Sequence, residues 1–209
     1  MTQVNGVDFS HFQGGAVDFA KLKAGGCEFV FLKATDGVSF IDPFFKTNRA
    51  KAKAAGIPCG AYHFFRSQQS VTTQANHFLD VVGPLEPGDL FPVLDVENDA
   101  QFAGIAPKHA ADMVVAWMQQ VESKFGVPCI LYGGRSIVTN VLASDVRLAQ
   151  LGRILWYPLY QSRNQIPPPP RPFKVLSIWQ FSQTGAEPGV PGHVDQNISF
   201  VPVSDFTKK

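Results

Sequence analysis

Two carboxylates one residue apart, Asp95 and Glu97, close the run LFPVLDVEND (90–99), in which Leu, Phe, Pro and Val otherwise announce a buried strand. Carboxylates are rarely buried without a partner, so packing does not explain them. Residues i and i+2 of a strand share a face, so Val93, Asp95 and Glu97 point one way and Leu94 and Val96 the other. The two acids would stand with their Cα atoms about 6.6 Å apart. Such a pair suits glycoside hydrolysis, one acid protonating the leaving oxygen while the other acts as nucleophile, base or orienting group; the spacing alone does not choose between inverting and retaining geometry. A divalent metal site is the alternative chemistry.

Two more acids fall at matching places. Asp8 in GVDFSHFQG closes the first strand-like run and Asp195 in GHVDQN closes the last. Taken alone, Asp8 reads as a turn former or cap. Brought to one rim, four carboxylates would repel one another, raise at least one pKa and so keep a proton donor at neutral pH. Tyr62, Phe64, Tyr132, Trp156, Tyr160 and Trp179 all lie at or near strand ends. Each by itself is an ordinary core residue. Acids ringed by aromatics suit a sugar cleft better than a metal site, and neither metal nor cofactor is expected.

Convergence of this kind needs strands delivered to a common rim. Strand-like runs at 4–9, 28–34, 57–65, 90–97, 127–134, 153–158, 174–182 and 193–197 alternate with helical patterns. Asp18 caps a short helix stopped by Gly25-Gly26, Asp42-Pro43 opens one to Ala55, and Ser70 opens one carrying Ala75, Phe78, Leu79 and Val82 on one face. Pro107 opens the longest, with Met113, Val114, Trp117, Val121 and Phe125 at helical spacing, and shorter helical pieces follow near 136–142 and 144–151. The alternation implies parallel strands with crossover helices, and eight of them suggest a barrel whose site lies at the strands' C-terminal ends. IPPPPRP (166–172) and TGAEPGVPG (184–192) cannot be helical. The expected class is therefore α/β, a TIM-like β/α barrel of eight strands whose last strands lack regular crossover helices.

No linker or repeat divides the 209 residues, which read as one barrel domain over 1–209. With 17% charged residues and a net charge of +1, neither nucleic acid nor an anionic membrane is the implied partner. No apolar run reaches membrane-helix length. Cys27, Cys59 and Cys129 show neither CxxC nor His spacing and read as buried free thiols. MTQVNGVDFS lacks the basic and apolar regions of a signal peptide.

In order, GVDFSHFQG, FVFLKATDG, GAYHFFR, PVLDVE, ILWYPLY, IWQFSQTG and GHVDQN resemble glycoside hydrolase family 25, the Chalaropsis-type lysozymes or N-acetylmuramidases, from about residue 4 to residue 198. The resemblance implies a β/α barrel that hydrolyses the β-1,4 bond between N-acetylmuramic acid and N-acetylglucosamine in peptidoglycan. It implies a monomer acting on the cell wall from the extracellular or periplasmic side, without inserting into a membrane, and reaching it through a holin pore, a secretion machine or after processing. Glu97 matches the family's general acid, Asp95 its partner in DxE, and Asp8 and Asp195 the other acids of the cleft. Lys33, Tyr62, Phe64, Tyr132, Trp156 and Trp179 would shape saccharide subsites, and Asn197 would fix Asp195. Asp95 would orient the substrate's 2-acetamido group, which attacks the anomeric carbon in place of an enzyme nucleophile. The rival scheme makes Asp95 or Asp195 the nucleophile or base.

Two departures from the family pattern stand out. KATDG replaces the usual KATEG, leaving Asp36 one methylene short, so a brace there would be re-formed through water or a subsite altered. LWYPLY replaces LWIAxY, and Tyr157 and Pro158 would narrow or reshape the cleft near Trp156. A chitin-type hydrolase is the alternative enzyme, although LFPVLDVE lacks the upstream acids of the longer DxxDxDxE strand. A non-catalytic peptidoglycan-binding barrel is the alternative outside enzymes, and the intact acid set counts against it.

Overall fold

The structure is a computed structural model that describes residues 3–209. Strands β1 (Val4–Phe9), β2 (Phe29–Asp36), β3 (Phe40–Ile41), β4 (Cys59–Phe64), β5 (Val93–Asp95), β6 (Ile130–Tyr132), β7 (Ile154–Pro158), β8 (Ile178–Gly185) and β9 (Val194–Ser199) form one sheet. Its order is β1-β9-β8-β7-β6-β5-β4-β2-β3, and β1 also pairs with β2. All but the two-residue β3 therefore close into a barrel. Helices α1 (Phe19–Ala24), α2 (Phe45–Ala54), α3 (Val71–Val82) and α4 (Pro107–Phe125) cover the first half. Among the described residues no helix is long and apolar enough to cross a membrane.

Local signals place most helix ends. The Asp18 carboxylate accepts from Lys21 N, Ser70 Oγ accepts from Thr73 N, and α4 starts on Pro107 and stops where Gly126 turns left-handed at φ 70°. Asp42 departs from its expected role. Its carboxylate accepts from Phe44 N and, across the rim, from His11 N at 2.7 Å, so α2 begins at Phe45 with no side-chain cap.

Among the described residues no α-helix follows α4, and the proline-rich stretch 166–172 cannot form one. After β6 come a single π-helical turn (Ile137–Val141) and a 3₁₀ turn (Val146–Ala149). The last strand corrects the expectation of a parallel barrel: β9 runs antiparallel to both β8 and β1. A parallel return needs a crossover of a dozen or more residues, and the short Gly/Pro loop after β8 permits only a reversal. Asp195 consequently stands at the start of its strand, not at its end.

Alternation along the strands separates two cores. Phe29, Phe31, Tyr62, Val93, Ile130, Tyr132, Trp156 and Ile178 fill the barrel, and Phe206 from the C-terminal segment joins them. Val30, Leu32, Leu94, Val96, Leu131 and Leu155 pack outward against the helices. Large rings inside a narrow barrel demand small neighbours. A Cβ on Gly60 would lie 2.8 Å from the Phe31 ring and 2.9 Å from Leu90 Cβ, and one on Gly6 would overlap the Phe29 ring. Gly6→Ala is expected to destabilise the fold by about 1–3 kcal/mol, with partial recovery when combined with Phe29→Leu. Urea unfolding of the single and double variants measures this.

Candidate active site

One rung of the barrel carries much of the site. In register around the sheet stand Asp36, Phe64, Asp95, Tyr132 and Trp156. β5 ends at Asp95, so Glu97 lies just past the strand and is exposed, while Asp95 is buried. Both line one pocket of ≈ 160 Å³ together with Asp8, Asp195, Tyr62, Tyr132, Trp156, Tyr160, Gln180 and Gln183. The four acids expected at one rim are together there.

Asp8 and Asp195 are direct cross-strand partners on β1 and β9, so two carboxylates face each other on adjacent strands. Burial and the Asp195 charge push Asp8 well above the usual aspartate range, against the pull of its Asn197 and Gln180 hydrogen bonds. Asp195 is pushed up to about 6, by burial first and by the charge of Glu97, although its hydrogen bond with Asp8 pulls it down. A proton is thus held in this pair, more firmly on Asp8.

Two amide relays determine how Asp8 presents itself. Tyr132 and Tyr160 donate their hydroxyls to Gln180 Oε1 (2.8 and 3.0 Å), which turns Gln180 Nε2 toward Asp8 Oδ2 at 2.9 Å. Trp156 Nε1 donates to Asn197 Oδ1 at 2.7 Å, and Asn197 Nδ2 donates to the same Asp8 Oδ2 at 2.8 Å. With both donors on Oδ2, the proton of Asp8 belongs on Oδ1. Asn197 therefore fixes Asp8, where Asp195 was expected.

Asp95 is raised well above its ordinary range by burial and by the charge of Glu97, with Lys33 opposing. Its Oδ1 is buried and has no hydrogen-bond partner among the described residues. Glu97 is raised by desolvation, and the cations Lys33 and Arg66 restrain the shift. These cations are held in place from below. A bulge in β2 between Lys33 and Thr35 brings Asp36 onto the face of Lys33, whose Nζ lies 3.4 Å from Asp36 Oδ2. Asp36 also takes Arg66 in a two-bonded pair (2.6 and 2.7 Å), and both cations lie over the Phe64 ring, Lys33 Nζ at 4.8 Å and the Arg66 guanidinium at 4.4 Å from its centroid. Burial acts to raise the Asp36 carboxyl, but the Arg66 and Lys33 interactions outweigh it and leave it low. The shorter acid braces the rim directly, with no water needed. Beneath it, buried His63 joins Thr35 Oγ1 (2.7 Å) to Gln74 Oε1 (3.2 Å), and Gln74 also accepts from Arg66 N. Burial pushes the pKa of His63 down to about 3, so this anchor is neutral.

Two expectations fail on parity. Trp179 is fully buried on the outer face of β8, its indole N–H donating to Leu159 O at 2.8 Å, and does not reach the cleft. Tyr157 is likewise buried in the outer core, so it does not narrow the cleft near Trp156. Lys33 and Phe64 brace the rim beside the pocket, whereas Tyr62, Tyr132 and Trp156 line it. Gln180, Gln183 and Arg66 were missed. The signal for Gln180 was available: a polar residue two places after Ile178 in an apolar strand must share the face of that inward side chain.

A TIM-like barrel with an acidic, aromatic-walled cleft at one rim is the class that this geometry defines. The chain belongs to glycosyl hydrolases family 25, whose sequence profile matches residues 7–190. It is 31% identical over 166 residues to the uncharacterized protein YegX of Escherichia coli, a match covering 79% of this chain and 57% of that relative's length. Identity to Lysozyme M1 of Streptomyces globisporus is 29% over 202 residues, covering 93% of this chain and 67% of that protein. The crystal structure of a bacterial lysozyme from Streptomyces coelicolor matches with a TM-score of 0.91 at 28% identity, over 99% of this chain and 96% of that one.

The raised pKa of Asp195 gives a pH test. Below the ordinary aspartate value of 3.8 both folded and unfolded chains hold the Asp195 proton; between there and about 6 only the folded chain does. The stability it contributes is therefore lost as pH rises through that window. His63, neutral when folded, acts in the opposite sense, so the comparison is made between variants. Asp195→Asn is expected to gain stability relative to the unsubstituted protein as pH goes from about 4 to about 7. Urea unfolding across that range measures the difference, and parallel pH profiles would contradict the assignment.

Proposed function

We propose that this barrel is a peptidoglycan hydrolase, an N-acetylmuramidase that cleaves the β-1,4 bond between N-acetylmuramic acid and N-acetylglucosamine. The observation that carries the reading is the pairing of an exposed Glu97 with a buried Asp95 whose Oδ1 has no partner among the described residues, in a pocket walled by tyrosines and a tryptophan. Glu97 gives its proton to the glycosidic oxygen, and burial raises its pKa above the ordinary glutamate value, the direction that an acid role requires. Asp95 Oδ1 accepts the N–H of the substrate's 2-acetamido group, whose carbonyl oxygen attacks the anomeric carbon as the C–O bond breaks. Water then opens the cyclic intermediate, with Glu97 returning as base. The Asp8–Asp195 pair, retaining one proton between two carboxyls, supplies negative potential to the positive charge that develops on the sugar.

In this reading the barrel by itself is the catalytic unit. It acts as a monomer on the wall's glycan strands, from the extracellular or periplasmic side, and involves neither nucleic acid nor membrane insertion. Family membership and the likeness to the Streptomyces coelicolor lysozyme support the substrate class.

Mass spectrometry of products from purified peptidoglycan is the test. Fragments ending in reducing N-acetylmuramic acid are expected, with Glu97→Gln slower by roughly 10²–10⁴-fold and chitin left uncut. Near-normal lysis by Glu97→Gln, or fragments ending in reducing N-acetylglucosamine, would defeat the proposal.

A further inference from the structure

Beyond the pocket, the rim above β1 and β2 carries an aromatic face that no step of the proposed reaction uses. Phe12 is 84% exposed, Phe40 40% and Ile41 48%. Single exposed apolar residues are ordinary, but these are contiguous. The His11 ring lies 4.3 Å from that of Phe12 at an interplanar angle of 32°, and 5.7 Å from that of Phe40 at 63°.

The backbone beneath these rings is tied down. Ser10 N donates to Gln13 Oε1, Gln13 Nε2 to His193 O, His11 N to Asp42 Oδ2, Asn48 Nδ2 to Gly14 O and Lys51 Nζ to Gly15 O. On the neighbouring hairpin, Phe40 O accepts from His77 Nε2 at 3.0 Å, and Val38 N donates to Gln69 Oε1 at 2.8 Å. An exposed ring on a pinned loop is presented in advance, so little ordering remains to oppose binding.

The face is continuous with the cleft through one residue. Lys33 Nζ lies 5.9 Å from the Phe40 ring centroid and 4.8 Å from that of Phe64, and Phe64 is in register with Asp95. From the other side, Gln13 ties the Phe12 loop to His193, two residues before Asp195.

We propose that Phe12, His11 and Phe40 form a distal sugar subsite, on which a pyranose of the glycan strand outside the cleavage pocket stacks. The inference rests on the reading of the cleft as a glycan hydrolase. β-1,4-linked N-acetylated pyranoses present C–H bonds on both ring faces, and these suit the electron-rich face of an aromatic ring, while the sugar's hydroxyls stay in water. An open face fits that chemistry because it covers one side of each sugar and leaves the chain free to continue. The subsite would favour long strands over short ones.

The probes are peptide-free glycan strands prepared from peptidoglycan in two lengths: a tetrasaccharide, and strands several times longer. For Phe12→Ala/Phe40→Ala, kcat/KM on the long strands is expected to fall roughly tenfold, mostly through KM, with little change on the tetrasaccharide. Phe12→Trp should retain the preference for length, and melting temperatures should stay close to that of the unsubstituted protein because both rings are exposed. Binding is read independently from the NMR ring signals of Phe12 and Phe40 during titration with long strands. If the unsubstituted protein cleaves no strand but these signals still shift, the muramidase reading fails and the subsite stands. Cleavage by the unsubstituted protein with the same loss, or no loss, on both lengths overturns the subsite. So does a dimer of the unsubstituted protein that the double variant abolishes while both lengths are treated alike, because the face then serves a second copy of the chain.

Discussion

Closure of the barrel by an antiparallel strand is the constraint from which the site follows. Because β9 runs against β1, its N-terminal end meets the C-terminal rim of the parallel strands, and Asp195 is set directly across from Asp8. Two facing carboxylates in a buried position cannot both ionise cheaply, so the pair retains a proton. A parallel last strand would have carried the start of that segment to the opposite mouth. The reversal is enforced by a loop too short and too rich in Gly and Pro for a crossover helix. A feature that looks like a deteriorated barrel is therefore what assembles the fourth acid.

The remaining architecture limits the cost of holding acids together. From one side come neutral donors: Gln180 and Asn197, each oriented by a phenol or indole and each aimed at Asp8 Oδ2. From the other come cations: Lys33 and Arg66, gripped by Asp36 and the Phe64 ring near Glu97. The donors hold Asp8 in a single orientation, whereas the cations restrain the rise of Asp95 and Glu97 without cancelling it. Among the described residues, the buried Asp95 Oδ1 has no hydrogen-bond partner within this surround.

Rigidity is distributed to match. Large rings plug the barrel interior, with Gly6 and Gly60 making room for them, so the floor of the cleft has little freedom to shift. His63 and Gln74, both buried, carry that order up to the Arg66 loop, and ties at Gln13, Asp42 and Asn48 carry it to the Phe12 loop. The rim is thus held rigid both at the acids and at the Phe12 loop.

Much of this was legible in the residues themselves. The β/α alternation, the caps at Asp18 and Ser70, the helix break at 166–172 and the i, i+2 parity of Asp95 and Glu97 are local properties, governed by backbone sterics and side-chain period, and a chain carries them wherever it folds. Strand ends and side-chain parity picked out the four acids and the aromatics, and the resemblance assigned their roles. What needed the tertiary structure was every matter of pairing. The direction of β9, the bulge that turns Asp36 toward Lys33 and Arg66, the choice of Asp8 as the partner of Asn197, and the outward facing of Trp179 and Tyr157 all depend on which strand lies beside which. The sequence by itself determined what the groups are and which strands bear them; only closure of the barrel decided which of them touch, because register and strand direction are set between segments far apart in the chain.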